Sequence, residues 1–293
     1  DSLLKIPGVE AAALRTNKGT LKDKSSIQEF YTIEDAIEYK PDGVLIANPT
    51  SLHVQTALPF LQKGIKVLIE KPIDDSISES LKLKDYADDI LVAYCMRFYP
   101  INTFFKELIK KENIFKISFK RSYYLPKFHP YADYRTEYAA QKKLGGGVIR
   151  TFSHEIDMMV NWFGKPVSIA GVTDKISHLE MDCDDFAYFT AKTSTGARIN
   201  FELDFFSPVN INCGEAFTEK GKYAWTMKSV EYTPYEKLEP TQIIHFDENA
   251  FNDMYVNQLK DFIGFINGGK SENATFNSAM KVLEIIEKID VRK

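Results

Sequence analysis

The stretch 43–72, GVLIANPTSLHVQTALPFLQKGIKVLIEKP, decides the fold. It opens with a short apolar run, Gly43–Ala47, of the length of one buried strand. Asn48-Pro49 ends that run, and Thr50 or Ser51 offers a side-chain oxygen to start a helix. Thr50–Lys63 is amphipathic and stops at Gly64, a good helix end. Lys66–Ile69 is a second apolar run, closed by Glu70-Lys71-Pro72. Strand, helix and strand in this order make a parallel βαβ unit.

The same alternation extends in both directions. Val9–Leu14 reads as a strand, and Thr32–Tyr39 as a helix capped by Thr32. Ser76–Ala87 is helical and Ile90–Tyr94 is again a short apolar strand. Short apolar strands separated by helices predict a parallel sheet covered on both faces, with its binding crevice at the strand C-terminal ends. That rule singles out Arg15, Asn48, Glu70–Pro72 and Cys95–Phe98, each of which follows a strand. A doubly wound nucleotide-binding domain normally opens with a strand, a GxGxxG turn and a helix. Here Asp1–Lys5 reads as the tail of that helix and Val9–Leu14 as the second strand, and the glycine turn is absent. A sheet without its first strand exposes two edges. One further βα unit, of about 20–30 residues, is therefore expected to belong to the working protein.

After residue 113 the period changes. Phe115, Ile117, Phe119, Arg121 and Tyr123 alternate with Lys116, Ser118, Lys120 and Ser122, as in a half-exposed strand. Asp185–Thr193 and Ala197–Phe206 flank Ser194-Thr195-Gly196, a hairpin signal, and Lys222–Tyr232 is one more strand. Helical spacing returns at Tyr255, Leu259, Phe262 and Ile266, and at Ala279, Val282, Leu283 and Ile286, with Thr275 as a cap. The expected fold class is α/β plus α+β. A Rossmann-type parallel-sheet domain (1–98), lacking its first βα unit, precedes a mainly antiparallel-sheet domain (99–293) with helices on one face. The second domain is expected to bind substrate and to oligomerise, its last helices packing back on the first.

Composition narrows the function classes. A chain of 293 residues with 44% hydrophobic and 27% charged residues fits two ordinary globular domains. The net charge is −4, with no basic block for nucleic acid and no polybasic segment for a membrane. No run reaches the roughly 18 apolar residues of a membrane span, and no charged-then-apolar leader is present. Cys95, Cys183 and Cys213 show neither a CxxC nor a metal spacing, and read as small reduced core residues of a cytoplasmic protein. No metal, nucleic-acid or membrane partner is expected.

Four constellations can carry chemistry, and each has a plainer reading. Asn48–His53 ends a strand and starts a helix, whose free N–H groups favour a polar or anionic ligand, or it is simply a turn. Glu70-Lys71-Pro72 places a charged pair at a buried strand end, with a proline that can be cis. Lys71 there can donate to a substrate hydroxyl or a nicotinamide ribose, or it is a solvated strand end. Gly145–Asp157 (GGGVIRTFSHEID) joins three glycines, able to approach a ligand closely, to a helix. On that helix His154 and Asp157 share a face. His154 suits general acid/base work near neutral pH, or is a satisfied structural histidine. Tyr123–Arg135 (YYLPKFHPYADYR) is dense in aromatic and polar groups, and suits sugar or nucleotide recognition or packing between domains.

The order ANPTSLH, EKP, VAYCMRFYP, GGGVIRTFSHEID resembles the glucose–fructose oxidoreductase/inositol dehydrogenase family, from Val9 to the last helix. LPKFHPYADYR with LGGGVIRTFSHEID is similar to the branch associated with surface-polysaccharide sugars, and Asn252–Tyr255 is similar too. The resemblance implies an NAD(P)-dependent enzyme moving hydride between nicotinamide and a sugar or nucleotide-sugar carbon. It implies that Asn48, Pro49, Thr50, His53, Glu70, Lys71, Pro72 and Arg97 line the dinucleotide site. Lys71 and His154 would be catalytic, with Asp157 lining the substrate pocket. His129, Tyr134, Arg135 and Arg150 are the further substrate candidates.

Three positions depart from the family pattern. Arg150 stands where many members have aspartate; facing the pocket, it would pair with a substrate carboxylate or phosphate and favour an acidic or nucleotide sugar. Cys95 replaces a usual Asn or Gln. Arg15, where an NAD enzyme carries an acid, can meet a 2′-phosphate, which tips the expectation between NAD and NADP towards NADP. The rival readings are a non-catalytic cofactor-binding homologue and a glycosidase using NAD transiently. A homodimer or homotetramer through the uncovered sheet face is also expected.

Overall fold

The computed structural model describes residues 3–15 and 27–290. Strands β1 (Ala12–Leu14) and β2 (Gln28–Phe30) pair in parallel as a ribbon of their own. Helix α1 (Ile33–Glu38) starts at Thr32, whose Oγ1 accepts from the Asp35 N–H at 3.1 Å. Strand β3 (Gly43–Ile46), helix α2 (His53–Leu61), β4 (Lys66–Ile69), helix α3 (Ile77–Ser80) and β5 (Ile90–Val92) complete the first half. Strands β3, β4 and β5 are parallel neighbours, as their unbroken apolar character requires. The Ser76–Ala87 helix expected from the sequence is split: α3 gives way to 3-10 turns over Leu81–Asp89, non-helical at Tyr86.

The expected sheet is divided. The β1–β2 ribbon is not hydrogen-bonded to β3, and the free edge of β3 has no partner strand among the described residues. Leu14 and Leu45 are 39% and 42% exposed. The described front of the chain is one 3-10 turn, Leu3–Lys5; Asp1, Ser2 and Thr16 lie outside the described residues.

The second half is one eight-stranded sheet with helices on one side. It contains α4 (Pro100–Lys111), β6 (Ile114–Ser122), α5 (Val148–Thr151), α6 (Ser153–Phe163), β7 (Ser168–Asp174), β8 (Phe186–Lys192) and β9 (Arg198–Asp204). Next come β10 (Ile211–Thr218), β11 (Gly221–Thr226), β12 (Ser229–Pro234) and β13 (Gln242–His245). The spatial order is β13-β12-β11-β10-β6-β9-β8-β7, antiparallel except between β6 and β9. The single strand read over Lys222–Tyr232 is two, β11 and β12, reversed at Met227-Lys228. On the covered face Phe119, Phe201 and Phe189 stack, with centroids 5.1 and 4.3 Å apart, against Trp162 of α6. The other face is mixed, with Val172 and Tyr188 half exposed beside the Lys120–Glu202 pair.

The chain then returns to the first sheet. Helix α7 (Ala250–Ile266) lays Leu259 and Phe262 on Leu68 and Leu91. Strand β14 (Ala274–Thr275) pairs antiparallel with β5, and α8 (Phe276–Ile289) starts at once from Thr275, which accepts from the Ser278 N–H. The parallel sheet is thus covered by α7 on one face and by α2 and α8 within the main core on the other.

One buried ion pair fastens the two sheets. Arg97, just after β5, donates from Nε and Nη2 to the two carboxylate oxygens of Asp157 on α6, at 2.8 and 2.6 Å. Nη2 also donates to Ser278 Oγ in the first turn of α8 at 2.7 Å. The side chains are 7% and 0% exposed. Removing one partner strands a buried charge, which costs about 3–5 kcal/mol. Asp157→Ala is therefore expected to lower denaturant stability by about that amount. The double replacement Arg97→Met with Asp157→Leu is expected to recover most of it, since a buried pair exchanged for apolar groups is often close to neutral. Denaturant midpoints at constant m-value check both.

Candidate functional site

The C-terminal ends of β3, β4 and β5 carry Asn48, Glu70-Lys71 and Cys95 along one edge, facing the start of α6. The Lys71–Pro72 peptide is cis. Lys71 Nζ reaches across to α5 and donates to the Thr151 carbonyl at 2.7 Å. His154 Nε2 lies 3.9 Å from Cys95 Sγ. The same ring meets Tyr94 edge-on at 5.8 Å, and its buried Nδ1 has no hydrogen-bond partner. Burial first, then the charges of Lys71 and Arg121, hold the His154 imidazole well below its ordinary pKa. It is a neutral base at pH 7. Burial, with Glu70 adding, pushes the Cys95 thiol up to about 12, so it is a packed thiol and not a nucleophile.

The structure brings two unexpected side chains here. Tyr255 belongs to α7, which packs against the Cys95–Phe98 turn, and it lies close enough to Cys95 for the two to perturb each other. Burial raises its phenol, so it is a neutral donor. Arg121 points from the covered face of β6, its guanidinium 5.1 Å from the Phe152 ring. Both were visible as residues in phase with apolar positions, Tyr255 with Leu259 and Arg121 with Ile117 and Phe119. Such phase normally means core, so neither was marked as a site residue, although Asn252–Tyr255 carries part of the resemblance. Glu155 is also buried beside His154, and its Oε2 has no partner. Burial raises its carboxyl above the usual range.

Several expected site residues do other work. Asp157 and Arg97, expected at the substrate pocket and at the cofactor, are locked on each other. Arg150 is 6% exposed; Nη1 pairs with Asp290 and Nη2 donates to the Asp75 carbonyl at 3.0 Å. It pins the end of α8, with both terminal nitrogens engaged and Nε buried without a partner. His53 is 1% exposed, with Nδ1 and Nε2 each 3.0 Å from a carbonyl oxygen, of Pro72 and Asn48. It ties the ends of β3 and β4 together beneath the crevice. Burial lowers its pKa.

The glycine run approaches protein, not ligand. A Cβ on Gly146 would stand 2.2 Å from the Tyr138 carbonyl, and one on Gly147 2.1 Å from the Asp184 carboxylate. Gly145, at φ +78°, packs on Thr50 and Asp75, and Ser51 Oγ donates to the Lys143 carbonyl. This turn covers the helix start at Pro49 and Thr50, where an anion was expected. The α2 N-terminus is instead served by Asp74, whose Oδ2 accepts from the Val54 N–H at 3.3 Å.

The polar groups of the aromatic arm are paired with protein neighbours, although Tyr131 is 80% exposed. His129 Nδ1 meets Glu137 at 3.0 Å, and the Tyr134 hydroxyl accepts from the Glu180 N–H at 3.0 Å. Arg135 is paired with Asp133 and Glu180. At the first strand, Arg15 Nε lies 2.6 Å from a Glu29 oxygen of β2.

What faces the crevice fits a dinucleotide on one side. Asn48, just after β3, donates through Nδ2 to Thr56 Oγ1, yet its Oδ1 is buried without a partner. Glu70 flanks it, its carboxyl raised by burial against the pull of Lys71. Among the described residues no three His, Cys, Asp or Glu side chains gather as a metal site, and no helix is long and apolar enough to cross a membrane.

Residues 10–97 match the oxidoreductase family's NAD-binding Rossmann fold, and residues 105–224 match the GFO/IDH/MocA C-terminal domain. The chain is 25% identical over 272 residues to the rhizopine catabolism protein MocA of Rhizobium meliloti, covering 90% of this chain and 80% of that one. It is 32% identical over 95 residues to inositol 2-dehydrogenase of Corynebacterium glutamicum, 30% of this chain and 28% of that one. The fold is similar to that of the WlbA dehydrogenase of Bordetella pertussis, solved with NADH and UDP-GlcNAcA, at a TM-score of 0.73 and 16% identity, covering 90% of this chain and 80% of that one. With both halves matched in order, the chain belongs to the GFO/IDH/MocA family of NAD-binding oxidoreductases.

Proposed function

We propose that the chain is a sugar dehydrogenase in which Lys71 and His154 handle the hydroxyl proton during hydride transfer. The observation that carries this is the reach of Lys71 Nζ to the Thr151 carbonyl, three residues before His154, at the end of β4. Lys71 crosses to Thr151, and its charge is one of those that depress His154. The named relatives support a sugar or a similar polyol, since an inositol 2-dehydrogenase is among them.

A nicotinamide, when bound along Asn48 and Glu70, supplies the hydride acceptor or donor. Lys71 keeps protons beyond the one given to Thr151, and with them orients a substrate hydroxyl and stabilises oxygen charge. His154, neutral and only half-buried, takes the hydroxyl proton in the oxidising direction. The apolar wall of Tyr94 and Cys95 keeps water from competing for that proton. The uncovered face of the eight-stranded sheet is the surface proposed for self-association.

Lys71→Ala and His154→Ala are each expected to lower kcat by about 10²–10⁴-fold while leaving the fold intact. Steady-state rates beside circular-dichroism melts check this; near-wild-type turnover in both sinks the assignment. The His154 shift sets the pH behaviour. A histidine with a lowered pKa stays a base below its ordinary pKa of about 6.5, so the acidic limb of kcat/KM for oxidation lies below pH 6.5. A limb at or above that value contradicts the role.

The cofactor choice follows from Arg15. A 2′-phosphate has to displace the Glu29 carboxylate, so NADH is expected to bind at least roughly tenfold tighter than NADPH. Glu29→Gln removes the competing carboxylate beside Arg15 and should narrow that gap. Calorimetric titration with both cofactors measures it, and tighter NADPH binding by the wild type overturns it.

A further inference from the structure

Two of the cations around His154 are locked on carboxylates, and a third, Lys71, is assigned above to the substrate hydroxyl. Lys71 donates to Thr151, Arg97 is locked on Asp157, and Arg150 on Asp290. Arg121 forms no ion pair among the described residues. It stands two residues after Phe119 and four after Ile117, so it leaves the covered face of β6 at that strand's C-terminal end. Its neighbours in the strand, Lys120 and Ser122, face the other way and have partners there, Glu202 and Asp204.

Two neutral oxygens hold Arg121 in place. Nη1 donates to Asn210 Oδ1 at 3.0 Å and to the Ile211 carbonyl at 3.3 Å, while the guanidinium lies over the Phe152 ring. Nε and Nη2 make no hydrogen bond among the described residues. The group is therefore oriented by one nitrogen and a ring, with the rest of its fork uncommitted. Its charge is felt by His154, Glu155 and Tyr255. Glu155 is the carboxyl placed to answer it, yet burial favours its neutral form and its Oε2 makes no hydrogen bond. A half-buried cation without a counter-ion is costly unless a ligand supplies one. A planar fork matches two oxygens of a carboxylate or phosphate.

We propose that Arg121 receives the oxyanion of an anionic sugar, and so sets the substrate class of this site as acidic. The oxyanion is either a carboxylate on the sugar or a phosphate attached to it. The inference rests on the sugar-dehydrogenase reading above, and it moves to Arg121 the anion contact that Arg150 is too deeply engaged to make.

The test is calorimetric titration of the NADH-saturated full chain with D-glucuronate, glucose 1-phosphate and D-glucose, in the wild type and in Arg121→Gln and Arg121→Lys. The wild type is expected to bind one of the two anions at least tenfold tighter than glucose. Arg121→Gln should remove that preference, and Arg121→Lys should keep part of it, having the charge but not the fork. Tighter glucuronate identifies the carboxylate and tighter glucose 1-phosphate the phosphate. Equal binding of all three by the wild type, binding of none, or a preference that survives in Arg121→Gln overturns the proposal. If Arg121→Gln does not fold, a full wild-type preference in Arg121→Lys overturns the requirement for the fork. Absence of NADH binding, with the anion preference intact in the cofactor-free protein, sinks the dehydrogenase reading and leaves this one standing.

Discussion

Arg97 leaves the edge of the parallel sheet and meets Asp157 through two hydrogen bonds, out of reach of water, while also holding the first turn of α8. Three segments far apart in the chain share this contact, and the crevice is built around it. His154 lies one helical turn before Asp157, so anchoring the carboxylate sets the position of the imidazole. Cys95 lies two residues before Arg97, so the same anchor sets the thiol against which that imidazole rests. Were the pair slack, His154 would not keep its place opposite Lys71. A site held by a buried pair gains position more than stability, because desolvation offsets most of the attraction.

Around this anchor the local field is positive and the carboxyls are quiet. Burial raises both Glu70 and Glu155, while Lys71 and Arg121 depress His154. The result is a neutral base beside fixed cations, an arrangement suited to taking a proton from a hydroxyl and stabilising the oxygen left behind. The glycine run and the aromatic arm serve this centre indirectly. Gly145–Gly147 let the chain pass tightly between Thr50, the Tyr138–Ala139 backbone and Asp184 before α5 and α6 begin. Only a run without side chains fits there.

Much of this was legible in the sequence, for identifiable reasons. The βαβ period of 43–72 gave β3, α2 and β4 almost to the residue, and the rule of strand ends picked out Asn48, Lys71 and Cys95. What stayed hidden depends on partners distant in the chain. Asp157 and Arg150 carry charges that mark a site on a lone helix, but their counter-ions lie 60 and 140 residues away. Strand β2 is three residues long, too short for a period of two to register. Arg121 and Tyr255 sat in phase with core positions, where a polar residue is read as an interruption and not as a pocket wall. A charged or phenolic side chain in phase with the core, near the end of its element, is the signal that would have found both.

The central claim is that Lys71 and His154 form one proton-handling centre beside a hydride-transferring cofactor. Following deuterium from C4-labelled NADH into keto-sugars by mass spectrometry tests it most directly. The account predicts one deuterium in the product sugar with the wild-type chain, and none with either Lys71→Ala or His154→Ala while NADH is still bound. Cofactor binding by the wild type without label transfer to any sugar, or label transfer undiminished in both variants, would contradict it.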